Sequence, residues 1–151
     1  MSIKLARAYK KELHNVLGKC QFIEETLRMC IFSAVEIAKL ELSVHFPVKY
    51  KMEDVSKLTL GSLVTMFTKI NNDTALHEDL RKITKDRNDV AHRSLLFTIG
   101  ESKDKVHMSE ATLKMKGIAE RATDIHNRVL DVRYALLKAL SQAKRSKKKT
   151  T

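Results

Sequence analysis

The chain has 151 residues, of which 43% are hydrophobic and 5% aromatic, and its formal net charge at pH 7 is +11. Four glycines and one proline are too few for the many turns of a sheet protein, and this length fits a single domain. No apolar run approaches the ~18 residues of a membrane-spanning helix, and the N-terminus lacks the apolar region of a signal peptide. We therefore expect an all-helical, cytoplasmic protein that does not interact with membranes.

The first predicted element is a long helix with one apolar stripe. Its apolar residues follow one another in alternating steps of three and four, which is helical spacing. They are Ala6, Tyr9, Leu13, Val16, Cys20, Ile23, Leu27, Cys30, Ala34 and Ile37. Gly18 interrupts the stripe without shifting its phase, so one bent helix and two helices meeting near Gly18 both remain open. Pro47 ends the region, because the residue before a proline is pushed out of helical geometry.

The remaining predicted elements are helices joined by short links. Residues 46–58 are irregular, with one helical turn near 53–55, and a short amphipathic helix follows over about 60–70. The turn Asn71–Thr74 offers N-caps for a helix over about 75–96. After a polar loop over 100–107, Ser109 is the expected N-cap of a last helix that ends near residue 143. These elements predict an up-and-down bundle of four to five helices.

Positive charge is spread over the whole chain. The last nine residues, 143–151, form a basic segment that we expect to be disordered, and residues 1–142 form the helical domain. The segment supplies five positive charges, and the body still carries +6. A basic body indicates RNA or another nucleic acid as partner, although solubility alone would also account for the charge. The basic segment could bind phosphates or serve only as a solubilising end.

The two cysteines lie inside the first apolar stripe. Cys20 and Cys30 form no Cys-x-x-Cys pair, and no His lies at metal-ligand spacing from them. We expect both to be small buried side chains in a reducing compartment, with no metal and no cofactor.

The segment Arg87–His92 carries residues that suit cleavage of RNA. Arg87 occupies a stripe position where an apolar residue is expected, and Asn88 and His92 share a helix face at i and i+4. Attack by the ribose 2′-hydroxyl needs proton transfer, which a His supplies, and stabilisation of the phosphorane, which an Arg supplies. Arg87 and His92 lie about 140° apart around the helix. A two-fold dimer would double the two groups at one place.

A simpler interpretation of the same residues also exists. Arg87 could pair with an acid such as Asp54 or Glu41, with its alkyl stem covering apolar surface. His92, in the last turns of a helix, could simply favour the negative end of the helix dipole.

Residues Lys85–His92 (KDRNDVAH) resemble the signature of the HEPN family. That signature is an Arg, a polar residue that is often Asn, three further residues and a His, in a late helix of an all-helical domain. The segment Leu60–Leu63 (LGSL) is similar to an element that precedes the motif in several branches of the family. The resemblance covers about residues 1–142, and the motif is its specific part.

The resemblance implies a fold, an activity and roles for the motif residues. It implies a four- or five-helix bundle, a homodimer with both motif helices at the interface, and metal-independent endoribonuclease activity that leaves 2′,3′-cyclic phosphate ends. Arg87 would stabilise the transition-state phosphate, and His92 would be the general acid/base. Asn88 would orient the His or the scissile phosphate. We expect Lys85 and Arg93, which flank these residues, to contact the substrate.

The resemblance also implies a biological setting. Proteins of this family commonly serve as toxins or as effectors of antiphage defence, with an antitoxin or another regulatory partner. A toxin branch carries a modified Tyr two positions after the His, where this chain has Ser94, so the resemblance does not extend to that regulation. Other members are non-catalytic RNA-binding or protein-interaction modules, which is the alternative prediction.

Overall fold

A computed structural model describes residues 3–42, 46–98 and 105–150. These residues form five helices and no strand, which confirms the all-helical class. The helices are α1 (Ile3–Leu42), α2 (Met52–Ser56), α3 (Leu60–Phe67), α4 (Thr74–Thr98) and α5 (Lys105–Thr150). Across the described ranges, none of the helices combines the length and the apolar character needed to cross a membrane.

The three long helices run up, down and up. Interhelical side-chain contacts give the directions: Lys19–Thr123 and Cys30–Val129 join α1 to α5, and Asp86–Arg121 and Asp79–Arg128 join α4 to α5. Residue numbers rise together in the first pair of contacts, so α1 and α5 are parallel. They change in opposite directions in the second pair, so α4 is antiparallel to α5. The two short helices pack on this frame, with α3 contacting both α1 and α4.

The core lies between the long helices and is built from the predicted stripes. Full burial of one Leu, Ile or Phe side chain contributes ~1.5–3 kcal/mol, so these stripes hold the bundle together. The fully or nearly fully buried side chains of the long helices include Val16, Ile23, Leu27, Leu76, Leu80, Ile83, Ile118, Ala122 and Val129. The last buried residue is Ser33 on α1 and Val129 on α5, although both helices continue beyond these residues.

Two local features of α1 and α4 bear on the sequence predictions. α1 is one helix that passes through Gly18, which settles the question left open by the sequence. The turn Asn71–Thr74, predicted to offer N-caps, supplies one in Asp73, whose Oδ1 accepts a hydrogen bond from the Leu76 N–H at 2.9 Å.

The last helix differs from the prediction at both ends. α5 begins at Lys105, so Ser109 lies inside the helix and is not its N-cap. Residues 100–104 of the predicted loop lie outside the described residues. The helix continues to Thr150 across the predicted boundary at residue 143, so the described part of the basic segment is helical. Lys and Arg are good helix formers, and cations are favoured near the negative end of the helix dipole.

Candidate functional site

Arg87 lies in the apolar seam of α4, as the sequence predicts. Its seam neighbours Ile83 and Val90 are buried, whereas Arg87 itself is half-buried. The seam faces α1, and burial raises the pKa of Cys20 there to about 11, with the nearby Arg87 charge acting in the opposite direction. Arg87 is therefore a permanent cation between α1 and α4, and the residues before and after it in the α4 stripe are apolar.

The guanidinium of Arg87 is bound to its neighbour in the motif. Arg87 Nη1 donates a hydrogen bond to Asn88 Oδ1 at 3.2 Å. Adjacent residues point about 100° apart on a helix, so this bond requires the long Arg side chain to turn from the seam toward the face of Asn88. No ion pair of the described residues involves Arg87, and the carboxylate of Asp54 instead accepts from the Lys51 N–H at 2.8 Å.

Four exposed residues form a line along α4, which we call the basic face. Arg81, Lys85, Asn88 and His92 follow one another in steps of four, three and four. Lys85, predicted to contact substrate, belongs to this line. Among the described residues, no hydrogen bond joins His92 to Arg87, so one chain brings Arg87 to Asn88 but leaves His92 uncovered and exposed. A polyanion lying along this face would contact the cations of Arg81 and Lys85 at one end and Asn88 and His92 of the motif at the other.

Arg93, the other predicted substrate contact, lies apart from the basic face. It lines a small cavity of about 20 Å³, room for about one water molecule, between α1, α4 and α5, together with Tyr9, Asp86, Asp89 and Lys114. Burial raises the pKa of Tyr9, and the Arg93 charge opposes that shift. The cavity is too small for a nucleotide, so it adds no support to the prediction that Arg93 contacts the substrate.

The N-terminus of α3 lies close to the motif. A Cβ on Gly61 would be 3.9 Å from Thr84 Cγ2, so this residue packs against α4 one turn before Asn88. Thr59 caps α3, its Oγ1 accepting from the Ser62 N–H at 3.4 Å. Helix N-termini carry partial positive charge and attract phosphate. The LGSL segment, part of the resemblance described above, therefore places the N-terminus of α3 against α4 at Thr84.

The thiols do not offer a nucleophile. Burial raises the pKa of Cys30 to about 12, as it raises that of Cys20, so both remain protonated at neutral pH. Within the part of the chain that the structure describes, no three His, Cys, Asp or Glu side chains are grouped so that they could hold a metal ion.

The sequence gives no role to two histidines that the fold brings together. His14 and His126 line one groove between α1 and α5. They are far apart in the chain, and only the parallel pairing of α1 with α5 places them on one groove. A helical pattern alone does not reveal which helix pairs with which, so no spacing rule could have found this groove.

Comparison with known proteins gives no match: neither a protein-family model, nor a curated protein, nor a solved structure is similar to this chain. Function must therefore be inferred from the residues and their geometry.

Proposed function

We propose that this protein is an endoribonuclease of the HEPN type that needs no metal ion and leaves 2′,3′-cyclic phosphate ends. The observation that carries the proposal is the hydrogen bond from Arg87 to Asn88, which turns a seam cation toward the exposed face of His92. A half-buried charge without an acidic partner is costly in an apolar seam. The alkyl stem of Arg87 covers apolar surface of the seam, while no carboxylate of the described residues pairs with its guanidinium, which is therefore available to bind a phosphate.

The residue types match the chemical steps of RNA cleavage. One imidazole removes the proton of the ribose 2′-hydroxyl, the 2′-oxygen bonds to the adjacent phosphorus, and the bond to the 5′-oxygen breaks. A second imidazole gives a proton to the departing 5′-oxygen. Arg87 donates hydrogen bonds to the non-bridging oxygens of the phosphorane, and Asn88 holds the guanidinium in position.

The need for two imidazoles supports a homodimer. We place the two His92 side chains, one from each copy, on either side of the scissile phosphate. The basic face has no large exposed apolar side chain among its described residues, so two such faces gain little from apolar contact and repel each other. RNA phosphates between the two faces would remove that repulsion.

The proposed setting is the cytoplasm, where uncontrolled RNA cleavage would arrest growth. The protein would act there as a toxin or antiphage effector, restrained by an antitoxin or another regulatory partner. Growth arrest on expression, relieved by Arg87→Ala, is the expected cellular consequence.

The test is cleavage of a labelled RNA by the purified chain in EDTA. We expect cleavage products that end in 2′,3′-cyclic phosphate. His92→Ala and Arg87→Ala should each lower the rate about 10²- to 10⁴-fold, because each removes a group that acts in the transition state. The rate is measured by gel analysis, and the ends by their sensitivity to acid and phosphatase.

Matched controls are His107→Ala and Arg7→Ala, which remove an exposed His on α5 and an exposed Arg on α1. Both should cleave at the parent rate. Cleavage that stops in EDTA, or that survives His92→Ala, would contradict the proposed mechanism.

A second candidate function is RNA binding without cleavage. The last turns of α5 favour it, because they carry five exposed cations: Lys144, Arg145, Lys147, Lys148 and Lys149. Such a helix binds phosphates without any catalytic group and with strong dependence on salt. Salt-sensitive RNA binding by a chain that never cleaves would favour this function over the first.

A further inference from the structure

A second groove runs between the two parallel helices, and no residue of α4 lines it. We call it the α1–α5 groove. Its volume is about 340 Å³, near the lower end of the range of pockets that bind small molecules, and the residues used below are His14, Gly18, Lys19, Phe22, Thr123 and His126.

Gly18 keeps this groove open. Glycine in a helix interior is less favourable than alanine, and α1 holds Gly18 far from either end. No atom lies within 4 Å of where its Cβ would be, so no packing contact requires a glycine there. A longer side chain at this position would occupy the groove. An open groove would therefore explain the presence of Gly18, which the packing of the helices does not require.

The polar groups of the groove are held in position. Lys19 Nζ donates to Thr123 Oγ1 at 2.5 Å, which fixes a cation at the groove wall. Thr26 donates its hydroxyl proton to the carbonyl of Phe22 at 2.8 Å, so its oxygen accepts from His126 Nε2–H at 3.0 Å. The neutral ring of His126 then has Nδ1 as its hydrogen-bond acceptor.

One wall of the groove carries an aromatic ring open to solvent. Phe22 is 62% exposed, and its ring stacks on that of His126 with centroids 6.0 Å apart and an interplanar angle of 26°. An exposed aromatic face beside a cation is the arrangement by which proteins bind single-stranded nucleic acids, with the base on the ring and the phosphate on the cation.

We propose that the α1–α5 groove binds one unpaired nucleotide of single-stranded RNA. The base stacks on Phe22, Lys19 and His14 contact the phosphate, and His126 Nδ1 accepts a hydrogen bond from the ribose 2′-hydroxyl. That last contact is absent with DNA. The groove is distinct from the motif on α4, and nucleotide binding there does not depend on cleavage.

The test is binding of a labelled uridine octamer to the full chain, measured by fluorescence anisotropy at 150 mM salt in the His92→Ala background, where the RNA stays intact. Gly18→Leu should weaken binding at least tenfold while the melting temperature stays equal or rises, because leucine favours the helix and fills the groove. Phe22→Ala should weaken binding about 5- to 100-fold through loss of stacking.

Controls separate the groove from general basic attraction. Leu113→Ala removes an equally exposed apolar side chain, and Lys116→Ala removes an exposed lysine outside the groove; both should bind as the parent does. Lys19→Ala should weaken binding more than Lys116→Ala. Unchanged binding by Gly18→Leu and Phe22→Ala would overturn the site, and equal affinity for a deoxyuridine octamer would overturn the assignment to RNA. This assay measures binding and not cleavage. A negative result would therefore overturn the nucleotide site in the groove without overturning the proposed cleavage by the α4 motif. A negative cleavage assay would likewise leave the nucleotide site standing.

Discussion

His126 shows how two neighbours set the protonation of one side chain. Burial between α1 and α5, and next the charge of Lys19, lower its pKa below the ordinary 6.5. The unfolded chain takes up a proton near pH 6.5, whereas the folded chain does so only at lower pH. The stabilisation of the folded state is therefore complete above pH 6.5 and is lost as the pH falls through the lowered pKa.

Replacing Lys19 by Met should move this pKa in a defined direction. Without the Lys19 charge we expect the pKa of His126 to rise toward 6.5 but to stay below it, because burial remains. The measurement is an NMR titration of the His ring protons. Lys116→Met, at an exposed lysine that is not a cause of the His126 shift, should leave the titration unchanged. A His126 that titrates at or above pH 6.5 in the parent would contradict the assignment.

Sequence could predict the place of Arg87 but not its contact. A charged residue that breaks an apolar stripe is visible in the pattern, because the stripe fixes which side of α4 faces the core. The hydrogen bond to Asn88 is not visible, since it depends on how a flexible side chain turns around the helix. The groove that His14 and His126 line was missed for a different reason: it depends on which helices pair.

At the scale of elements, one acid connects the start of α4 to α5. Asp73 caps α4 through the Leu76 N–H and lies 3.5 Å from Arg128, which also bonds Asp79 at 2.7 Å. The bond from Leu76, and next the charge of Arg128, lower the pKa of Asp73 below 3.8. The stability contributed by the ionised group is therefore present above the ordinary pKa and lost as the pH falls through the lowered one.

Two substitutions of Asp73 should separate the cap from the charge. Asp73→Ala removes the acceptor of the Leu76 N–H and should lower the melting temperature at pH 7 by a few degrees. Asp73→Asn keeps a capping oxygen and should retain most of that stability. It should also lose less stability than the parent as the pH falls below 3.8, because it does not titrate. The measurement is the melting temperature as a function of pH, followed by circular dichroism. The same dependence of melting temperature on pH in the Asp73→Asn variant and the parent chain would contradict the role of ionised Asp73.

The elements themselves were largely predictable, because long stripes in steps of three and four specify helices. The turn Asn71–Thr74 was also predicted to supply the N-cap of α4, and Asp73 in that turn does so. Two features were not predictable. The start of α5 four residues before Ser109 shows that a suitable capping residue does not oblige a helix to begin there. Its continuation to Thr150 shows that a run of lysines is compatible with helix as well as with disorder.

At the scale of the whole molecule, positive charge is arranged on three separate surfaces. The basic face lies on α4, the α1–α5 groove lies between the parallel helices, and the last turns of α5 carry the densest charge. Net charge was readable from composition, but this distribution depends on helix direction. A single RNA strand that contacts several surfaces would bind with a steep dependence on salt. It would also help to bring two chains together, since their like-charged faces repel without it.

Mixed dimers should show whether two chains build one active site. If each cleavage needs both His92 side chains, a dimer of one wild-type and one His92→Ala chain lacks either the acid or the base. We expect such a dimer to cleave at less than about a tenth of the wild-type rate. The two chains carry different affinity tags, are unfolded and refolded together, and the mixed dimer is isolated through both tags before the assay.

The mixed dimer of wild-type and His107→Ala chains is the matched control and should retain the wild-type rate. If the wild-type and His92→Ala dimer retains about half of the wild-type rate, each chain holds a complete site, and the shared site is wrong. If no mixed dimer forms even with RNA present, the dimer itself is wrong. The expected loss requires that two imidazoles meet at one phosphate, because one exposed His92 per chain cannot act as base and acid in the same step.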